Sequence, residues 1–431
     1  LELYASKFWK SRGVKPFEPV EDAFPAYATT KAGASGPSAM GLTSLKDIIA
    51  LEREDILPRI SSFSSKVYVD SSSLTKMIED SLLNAKQQFP DPSGIVSISG
   101  RLHLLAEGGG KTRVICIPDV WTQSVLKPIH KYLMDHVLKK MPCDGSFGHE
   151  VLGNKVKKFT KRRGLFCFDL TAATDRFPLE IQKAVLKPLL GDLVHDWADL
   201  LVNREFTFRS EAKRYAVGQP MGLLTSWAAF SAAHHVIINF CKMDKSFYAI
   251  IGDDVAISSV EGARKYRHLM SELGVSINDS KSLIPSNDMK VAEIAKRLFL
   301  NGEEISPIPP RVLLESTKSL EGLIEFLQVL ANRTGQFRSL SELEHNGIID
   351  LITSNKDYDT DKFQVILTCP LKDYNPLGPY SDLVAPLLER ITSRWNTSIA
   401  TQTYLGEIER FIGEEAAKIT ALSPISLEAM G

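Results

Sequence analysis

The chain is poor in cysteine. It has five in 431 residues, scattered at Cys116, Cys143, Cys167, Cys241 and Cys369, with no C-x-x-C pair. An odd and dispersed set excludes a disulfide framework and a thiolate zinc site, and points to a reducing compartment. No uninterrupted apolar run reaches transmembrane length, so no stable membrane insertion is expected. The opening "LELYASKFWKSRG" has neither an initiator Met nor an apolar secretory core, and reads as a piece excised from a longer frame. No repeat of fixed period and no long low-complexity tract is visible. Net charge is also nearly absent, at −1, so the total names no polyanionic partner.

What is present is enough for a large core: 44% hydrophobic and 24% charged residues over a length that allows several subdomains. The neutral sum hides an asymmetry. Residues 101–163 hold thirteen Lys and Arg against five Asp and Glu, whereas residues 341–431 hold seven against fourteen. A local basic surface is compatible with that distribution.

Along the chain, "KAGASGPSAMG" is a small-residue loop and "LTSLKDIIALERE" has helical spacing. "SSFSSKVYVDSSS" reads as an exposed turn region, and "QQFPDPSG" as a second break. "SGRLHLLAEGGGKTRVICIPD" is strand, glycine-rich turn, strand. "VWTQSVLKPIHKYLMDHVLKKM" follows as a helix, "GLFCFDL" as a strand ending in an acid, and "PLEIQKAVLKPLLGDLVHDWADLLV" as helix. "GQPMGLLTSWAAFSAAHHVIINF" begins as a Gly/Pro loop and becomes a buried helix. A hairpin, "FYAIIGDDVAISS", comes next, then a helix closing at Gly274, then a last hairpin. "SPIPP" (306–310) is the natural subdomain boundary, and a helical, acidic tail follows it. The fold class is therefore α+β.

Chemistry concentrates in the acids. Gly-Asp-Asp alone is an ordinary β-turn. Here apolar residues flank it on both alternating faces, Ala249–Ile251 and Val255–Ile257, so the hairpin should be buried. Two adjacent carboxylates about 5 Å apart repel by roughly 3 kcal/mol at an effective dielectric of about 20. A hard divalent cation with oxygen ligands offsets that cost. A second apolar strand ends on Asp169, with Asp175 six residues further on. Taken alone it is a strand end followed by a helix cap. Taken with the hairpin, two strands each deliver an acid, the arrangement of two-metal phosphoryl transfer.

Between them, Gly218, Pro220 and Gly222 form a loop expected to flex and to let a ligand's backbone approach. Lys111 and Arg113 alternate along a strand and so share a face suited to a triphosphate. Two look-alikes fail. The P-loop spacing would need Gly where Leu105 stands, and "RVICIP" after Lys-Thr is no helix. His234 and His235 are adjacent on a helix, about 100° apart, and so are poorly placed to share a ligand.

The order of these signals is more specific than any one of them. A basic strand, Asp-x5-Asp, a G-x-P-x-G loop with a helix, an apolar Gly-Asp-Asp hairpin, a Lys and a final hairpin resemble viral RNA-dependent RNA polymerases. The wording "FDLTAATDRFP", "GQPMGLLTSWAAFSAAHH", "YAIIGDDVAI", "INDSKSLIP" and "AEIAKRLFLNGEEISPI" is similar to that of mitoviruses, relatives of the narnaviruses. The resemblance covers roughly residues 108–310.

It implies a right-hand fold with an antiparallel palm sheet. The N-terminal region and fingers would span 1–164, the palm 165–305 with a fingers insertion near 181–214, and a helical thumb 306–431. Asp169 and Asp253 would be the principal metal ligands, with Asp254 accessory and Mg²⁺ (or Mn²⁺) as the ion. Asp175 would face the incoming ribose, Lys111 and Arg113 would grip the triphosphate, and Gly222 and Ser226 would hold template and nucleotide. Lys281 would give a proton to the leaving pyrophosphate, and the segment 293–305 would support the primer end. Lys157, Lys158, Arg162 and Arg163, in "NKVKKFTKRR", would line an RNA path. The partners implied are RNA template and product and nucleoside triphosphates, for a monomer that replicates a positive-strand viral genome. The location implied is the mitochondrion, or the cytoplasm were it a narnavirus enzyme.

One departure stands out: Phe230 occupies the place where the wider class carries an Asn that bonds the 2′-hydroxyl. Asp175, partnered by Ser226, is then the expected sugar sensor. Two rivals fit less well. A non-catalytic, host-integrated relic should have lost its aspartates, and they are intact; a reverse transcriptase would carry Met or Val at Gly252.

Overall fold

Apolar residues at helical spacing build the N-terminal part of the computed structural model. The structure describes residues 1–21, 31–39, 41–107, 112–161 (backbone only at 149–151), 164–284, 290–306 and the single positions 311, 312, 314 and 329. Lys111, Arg162, Arg163 and nearly all of the expected thumb lie outside them. The first helix, α1 (Glu2–Ser11), buries Ala5, Phe8 and Trp9, and the Trp9 indole N–H donates to the Val185 carbonyl at 2.9 Å. Three more helices follow: α2 (Leu42–Arg53), α3 (Leu57–Val67) and α4 (Ser72–Gln88).

The exposed turn expected across "SSFSSKVYVDSSS" is confined to 69–71, between α3 and α4. Helix α3 takes the first seven residues of the stretch, because Leu57, Ile60, Phe63 and Val67 fall on one face and are all buried. Its serines do not compete with the helix. Ser64 and Ser65 donate back to the carbonyls of Ser61 and Ser62, both at 2.8 Å.

Strands β1 (Gly100–Ala106) and β2 (Thr112–Pro118) pair antiparallel from Gly100↔Pro118 to Ala106↔Thr112. Asp119 then caps helix α5 (Val120–Lys131), accepting from the Thr122 amide at 2.6 Å. The single helix expected for this stretch instead passes into a π-helical turn, Tyr132–Val137, just past Pro128. Helix α6 (His149–Phe159) leads to the short strand β3 (Phe166–Phe168) and the turn-like α7 (Ala173–Arg176). The next helical stretch is two helices, α8 (Leu179–Leu190) and α9 (Leu193–Val202), parted at Gly191 with φ of 58°. Strands β4 (Phe206–Phe208) and β5 (Glu211–Lys213) precede α10 (Ser226–Phe240), the hairpin β6 (Tyr248–Ile251) and β7 (Asp254–Ile257), and α11 (Val260–Glu272). The hairpin β8 (Val291–Ile294) and β9 (Arg297–Leu300) follows, and the short strand β10 (Glu303–Glu304) adds to the β9 side of it.

The α+β class holds, with one sheet ordered β2-β1-β4-β5 and an antiparallel sheet ordered β3-β7-β6. Both faces of the second sheet are covered, which explains its unbroken apolar sequence. Tyr248, Ile250, Val255 and Ile257 enter the main core, while Ala249, Ala256 and Cys167 pack with Val156, Phe159, Ile294 and Phe299. Its outer edges are also paired: Cys167 exchanges backbone bonds with Leu283, and Ile250 bonds Cys143 and Gly145. The chain divides into two compact units, Leu1–Glu303 and Glu304–Gly431, and Asp169, Asp175, Asp253 and Asp254 all lie in the first.

Candidate active site

The last ladder pair of β6 and β7 is Ile251↔Asp254, which leaves Gly252 and Asp253 as a two-residue turn. Gly252 has φ of 60°, a conformation glycine adopts freely. On the neighbouring strand, β3 pairs Phe168 with Val255, so the register carried one step further sets Asp169 opposite Asp254. The backbone of Asp169 is fixed from outside. Its carbonyl accepts from Asn278 N at 2.8 Å and its amide donates to Ser282 Oγ at 3.2 Å. Lys281 sits in that same loop and is exposed, so the structure brings it to the strand end that carries Asp169.

Asp169, Asp253 and Asp254 are all half-buried. Burial, then the charges of Asp253, Asp169 and Glu293, push the Asp254 carboxyl up to about 6, against the Ala295 N–H that donates to it at 3.2 Å. Among the described residues no three His, Cys, Asp or Glu side chains form a cage for a metal ion. Mg²⁺ does not require one, since it commonly takes one or two carboxylates and fills its shell with water and substrate phosphates. Hard oxygen donors that repel one another at a strand end fit such an ion.

The turn is held from behind by His234, a residue whose place in the sequence gave it no role. His234 on α10 hydrogen-bonds the Gly252 carbonyl through Nδ1 at 2.8 Å and the Tyr266 hydroxyl through Nε2 at 2.7 Å. Complete burial drives its pKa down to about 3, so the ring is neutral, donates to Gly252 and accepts from Tyr266. His235 points elsewhere, to Tyr248 at 3.1 Å and Asp144 at 2.9 Å, in keeping with the rejection of a shared metal. Adjacency in sequence hid a role that only the position of Gly252 reveals. His234→Ala should leave the Gly252 carbonyl and the Tyr266 hydroxyl without their partner. It is expected to slow the reaction of this site about a hundredfold with little change in substrate KM. His234→Asn, which restores a donor near Nδ1, should recover much of that loss in single-turnover assays.

In front, the Trp227 indole covers the turn. A Cβ built on Gly252 would lie 2.1 Å from it, and the indole is still 43% exposed. A bulkier residue at Gly252 would have to displace the indole and hold a positive φ of 60°.

The loop before α10 does not match the expectation of a flexing segment. Gly218 donates to the Asp175 carbonyl at 3.1 Å, Gln219 to that of Thr174 at 3.0 Å, and Cys116 to that of Met221 at 2.6 Å. Gln219, Thr225 and Ser226 are buried, and Gln123 bridges Gly222 and Leu224 at 3.0 and 2.7 Å. The glycines admit the protein's own backbone rather than a ligand's: a Cβ at either Gly218 or Gly222 would meet a carbonyl oxygen at 2.1 Å. Ser226 gives its hydroxyl to the Pro220 carbonyl at 2.7 Å, so it does not orient Asp175 as expected. Arg113 is ion-paired with Glu107 at 2.7 Å, and Lys157 and Lys158 are exposed at the end of α6.

The model of the family "Mitovirus RNA-dependent RNA polymerase" matches residues 22–354. The "RNA-directed RNA polymerase" of Cryphonectria parasitica mitovirus 1 is 32% identical over 213 residues, which is 47% of this chain and 26% of that protein. The chain thus spans about a quarter of that relative's length. An uncharacterized mitochondrial protein of Arabidopsis thaliana, AtMg01110, is 32% identical over 202 residues, covering 42% of this chain and 77% of the relative. Among solved structures, the RNA-dependent RNA polymerase of a human picobirnavirus aligns at 16% identity and a TM-score of 0.39, over 47% of this chain and 43% of that one.

Proposed function

The chain belongs to the mitovirus RNA-dependent RNA polymerase family, and from that membership we propose that it copies a positive-strand viral RNA by nucleotidyl transfer. The observation that carries this reading is the Gly252–Asp253 turn, braced by His234, on the strand neighbouring the one that ends at Asp169. The α+β architecture is that of a right-hand polymerase, and the β3-β7-β6 sheet is its palm. Residues 1–164 then serve as N-terminal region and fingers, 165–305 as palm with an insertion near 181–214, and 306–431 as thumb.

Asp169 and Asp253 would hold Mg²⁺, with Asp254 accessory and Mn²⁺ as substitute. Bound there, the ions supply charge neutralisation at the attacking 3′-hydroxyl and the departing pyrophosphate. The residues of the chain orient the reactants. Lys281, in the loop bonded to Asp169, gives a proton to pyrophosphate. Arg113 exchanges Glu107 for the triphosphate, with Lys111 beside it. Gly222 and Ser226 act as anchors of the loop that supports the nucleotide site, and the segment 293–305 supports the primer end. Residence in mitochondria accords with the names of the relatives.

The direct test is extension of an RNA primer on an RNA template with the four ribonucleoside triphosphates and Mg²⁺. Failure of the purified chain to extend sinks the reading. A second test concerns the RNA path. Lys157 and Lys158, with Arg162 and Arg163, bind phosphates without reading sequence. Replacing all four with Gln should lower the slope of log binding constant against log salt by up to about one unit for each phosphate no longer neutralised. An unaltered slope would make this stretch a solvated helix end.

A further inference from the structure

A cavity of about 550 Å³ opens between the N-terminal segment and helix α5. None of its described lining residues belongs to β3, β6 or β7, so it is not the acidic centre. Its volume is that of a small-molecule site. One wall is a single face of α5 and the π-helical turn that continues it. Lys127, Lys131 and Asp135 follow one another there at i, i+4 spacing, beside Tyr132 and His136. The other wall is the stretch from Lys15 to Val20.

We infer that this cavity binds a nucleoside phosphate, with its lysines on the phosphate and the His136 and Phe17 rings on the base. The site stands apart from the polymerase reading above, which needs only the acidic centre.

Three observations carry it. First, the walls hold uncommitted cations. Lys140 donates to the Gly13 carbonyl, but Lys15, Lys127 and Lys131 enter no ion pair among the described residues. Glu18 and Asp135 stand on the same walls and do not neutralise them. Lysines gathered round a concavity without carboxylate partners are a place for an anion. Second, rings are available. His136 is exposed, its imidazole stacked on Tyr132 with centroids 6.1 Å apart and planes at 25°. Phe17 is half-buried and lies edge-on to Tyr132 at 5.4 Å. Tyr132 is the fixed member, its hydroxyl donating to the Lys15 carbonyl at 2.6 Å, and the His136 ring offers its other face to a base.

Third, the cavity is preformed. Beyond the Tyr132 bond, the Phe17 amide donates to the Leu189 carbonyl of α8 at 2.8 Å. Val20 exchanges backbone bonds of 3.0 Å with Val67 and Val69. The wall from Lys15 to Val20 is thus tied to three elements and need not be ordered when a ligand arrives.

The mixed charge of the walls selects among anions. A bare polyphosphate would meet Glu18 and Asp135 as well as the lysines. A nucleoside phosphate is anionic at one end only, and its sugar hydroxyls and base amino group can donate to carboxylates at the other.

The test is calorimetric titration of ATP into the full chain in EDTA, where no divalent ion can hold a nucleotide at Asp169 and Asp253. A single equivalent should bind. Lys127→Gln with Lys131→Gln should weaken it about tenfold or more, and the corresponding pair of Arg substitutions should keep most of the affinity. Lys131→Gln alone, at an exposed position, carries the same test should the pair fail to fold. His136→Ala should weaken ATP about fivefold, and inorganic triphosphate should bind about tenfold more weakly than ATP. Two short RNAs of one sequence, with a 5′-triphosphate or a 5′-hydroxyl, identify the source of the ligand. Displacement of ATP by the first alone assigns the cavity to an RNA end, and displacement by neither assigns it to free nucleotide; both agree with the proposal. Displacement by both would mean that the lysines hold an RNA backbone, which overturns it. So would no binding at millimolar ATP, binding indifferent to the Gln substitutions, or inorganic triphosphate as tight as ATP. Primer extension is untouched by any of these outcomes, so the polymerase reading stands or falls separately.

Discussion

Asp253→Asn is expected to cut nucleotide incorporation by at least about a thousandfold while RNA affinity stays the same. The substitution is nearly isosteric and falls in a two-residue turn whose backbone is set by Gly252 and by the His234 bond, so the hairpin should survive it. Stability should be unchanged or higher. Asp253 is the leading charge that, after burial, holds the Asp254 carboxyl up at about 6, and removing it relieves that repulsion. A side chain retained for structure would show the opposite, a lower melting temperature. Asp254→Asn should cost much less activity, because Asp254 already accepts from the Ala295 amide and stands as the accessory ligand. The decisive measurements are single-turnover primer extension and thermal melting of the same preparations. Incorporation by Asp253→Asn within tenfold of the wild type would sink the assignment of this turn to the reaction.

Gly222→Ala should be among the most damaging of the glycine substitutions, and for a reason unrelated to ligands. The residue has φ of 119°, and an added Cβ would lie 2.1 Å from the Cys116 carbonyl oxygen. That oxygen belongs to β2, whose position is fixed by seven register pairs with β1. Neither side can give, since both are main chain. A loss of about 4 kcal/mol or more is expected, in the range that marks a change the fold cannot absorb. Gly274→Ala is the control. It also has positive φ, at 72°, but open space around it, so it should cost only about 1 kcal/mol. Urea unfolding of the two variants checks this directly. Equal midpoints would mean that the loop from Gly218 to Ser226 is not locked in the way described.

Much of the β3-β7-β6 sheet was legible in the sequence because its signals are local. Two apolar runs meeting at Gly-Asp-Asp specify a hairpin by turn chemistry and burial alone, and Asp169 is visible as the acid that ends a strand. Local pattern failed where partners are distant. The serines of "SSFSSKVYVDSSS" suggest a turn by composition, and the spacing of Leu57, Ile60, Phe63 and Val67 is the stronger signal. Gly218 and Gly222 read as hinges because the sequence shows a missing side chain and not the carbonyl that takes its place. The buried pair of Arg204 and Asp119, at 2.7 Å, leaves no trace in either local pattern, nor does the bond from His234 to Gly252.

The ladder that unites the two acidic strands has a consequence for how the molecule comes into being. Phe168 pairs with Val255, partners far apart along the chain, and the outer edge of β3 is closed later still by Leu283. Contacts of such long sequence separation carry a large loop-closure cost and form slowly. A nascent chain emerging from the ribosome therefore makes its N-terminal helices first and keeps β3 without either neighbour until the hairpin has been synthesised. Fragments that stop short of Ile257 cannot assemble the acidic centre, however well their helices fold.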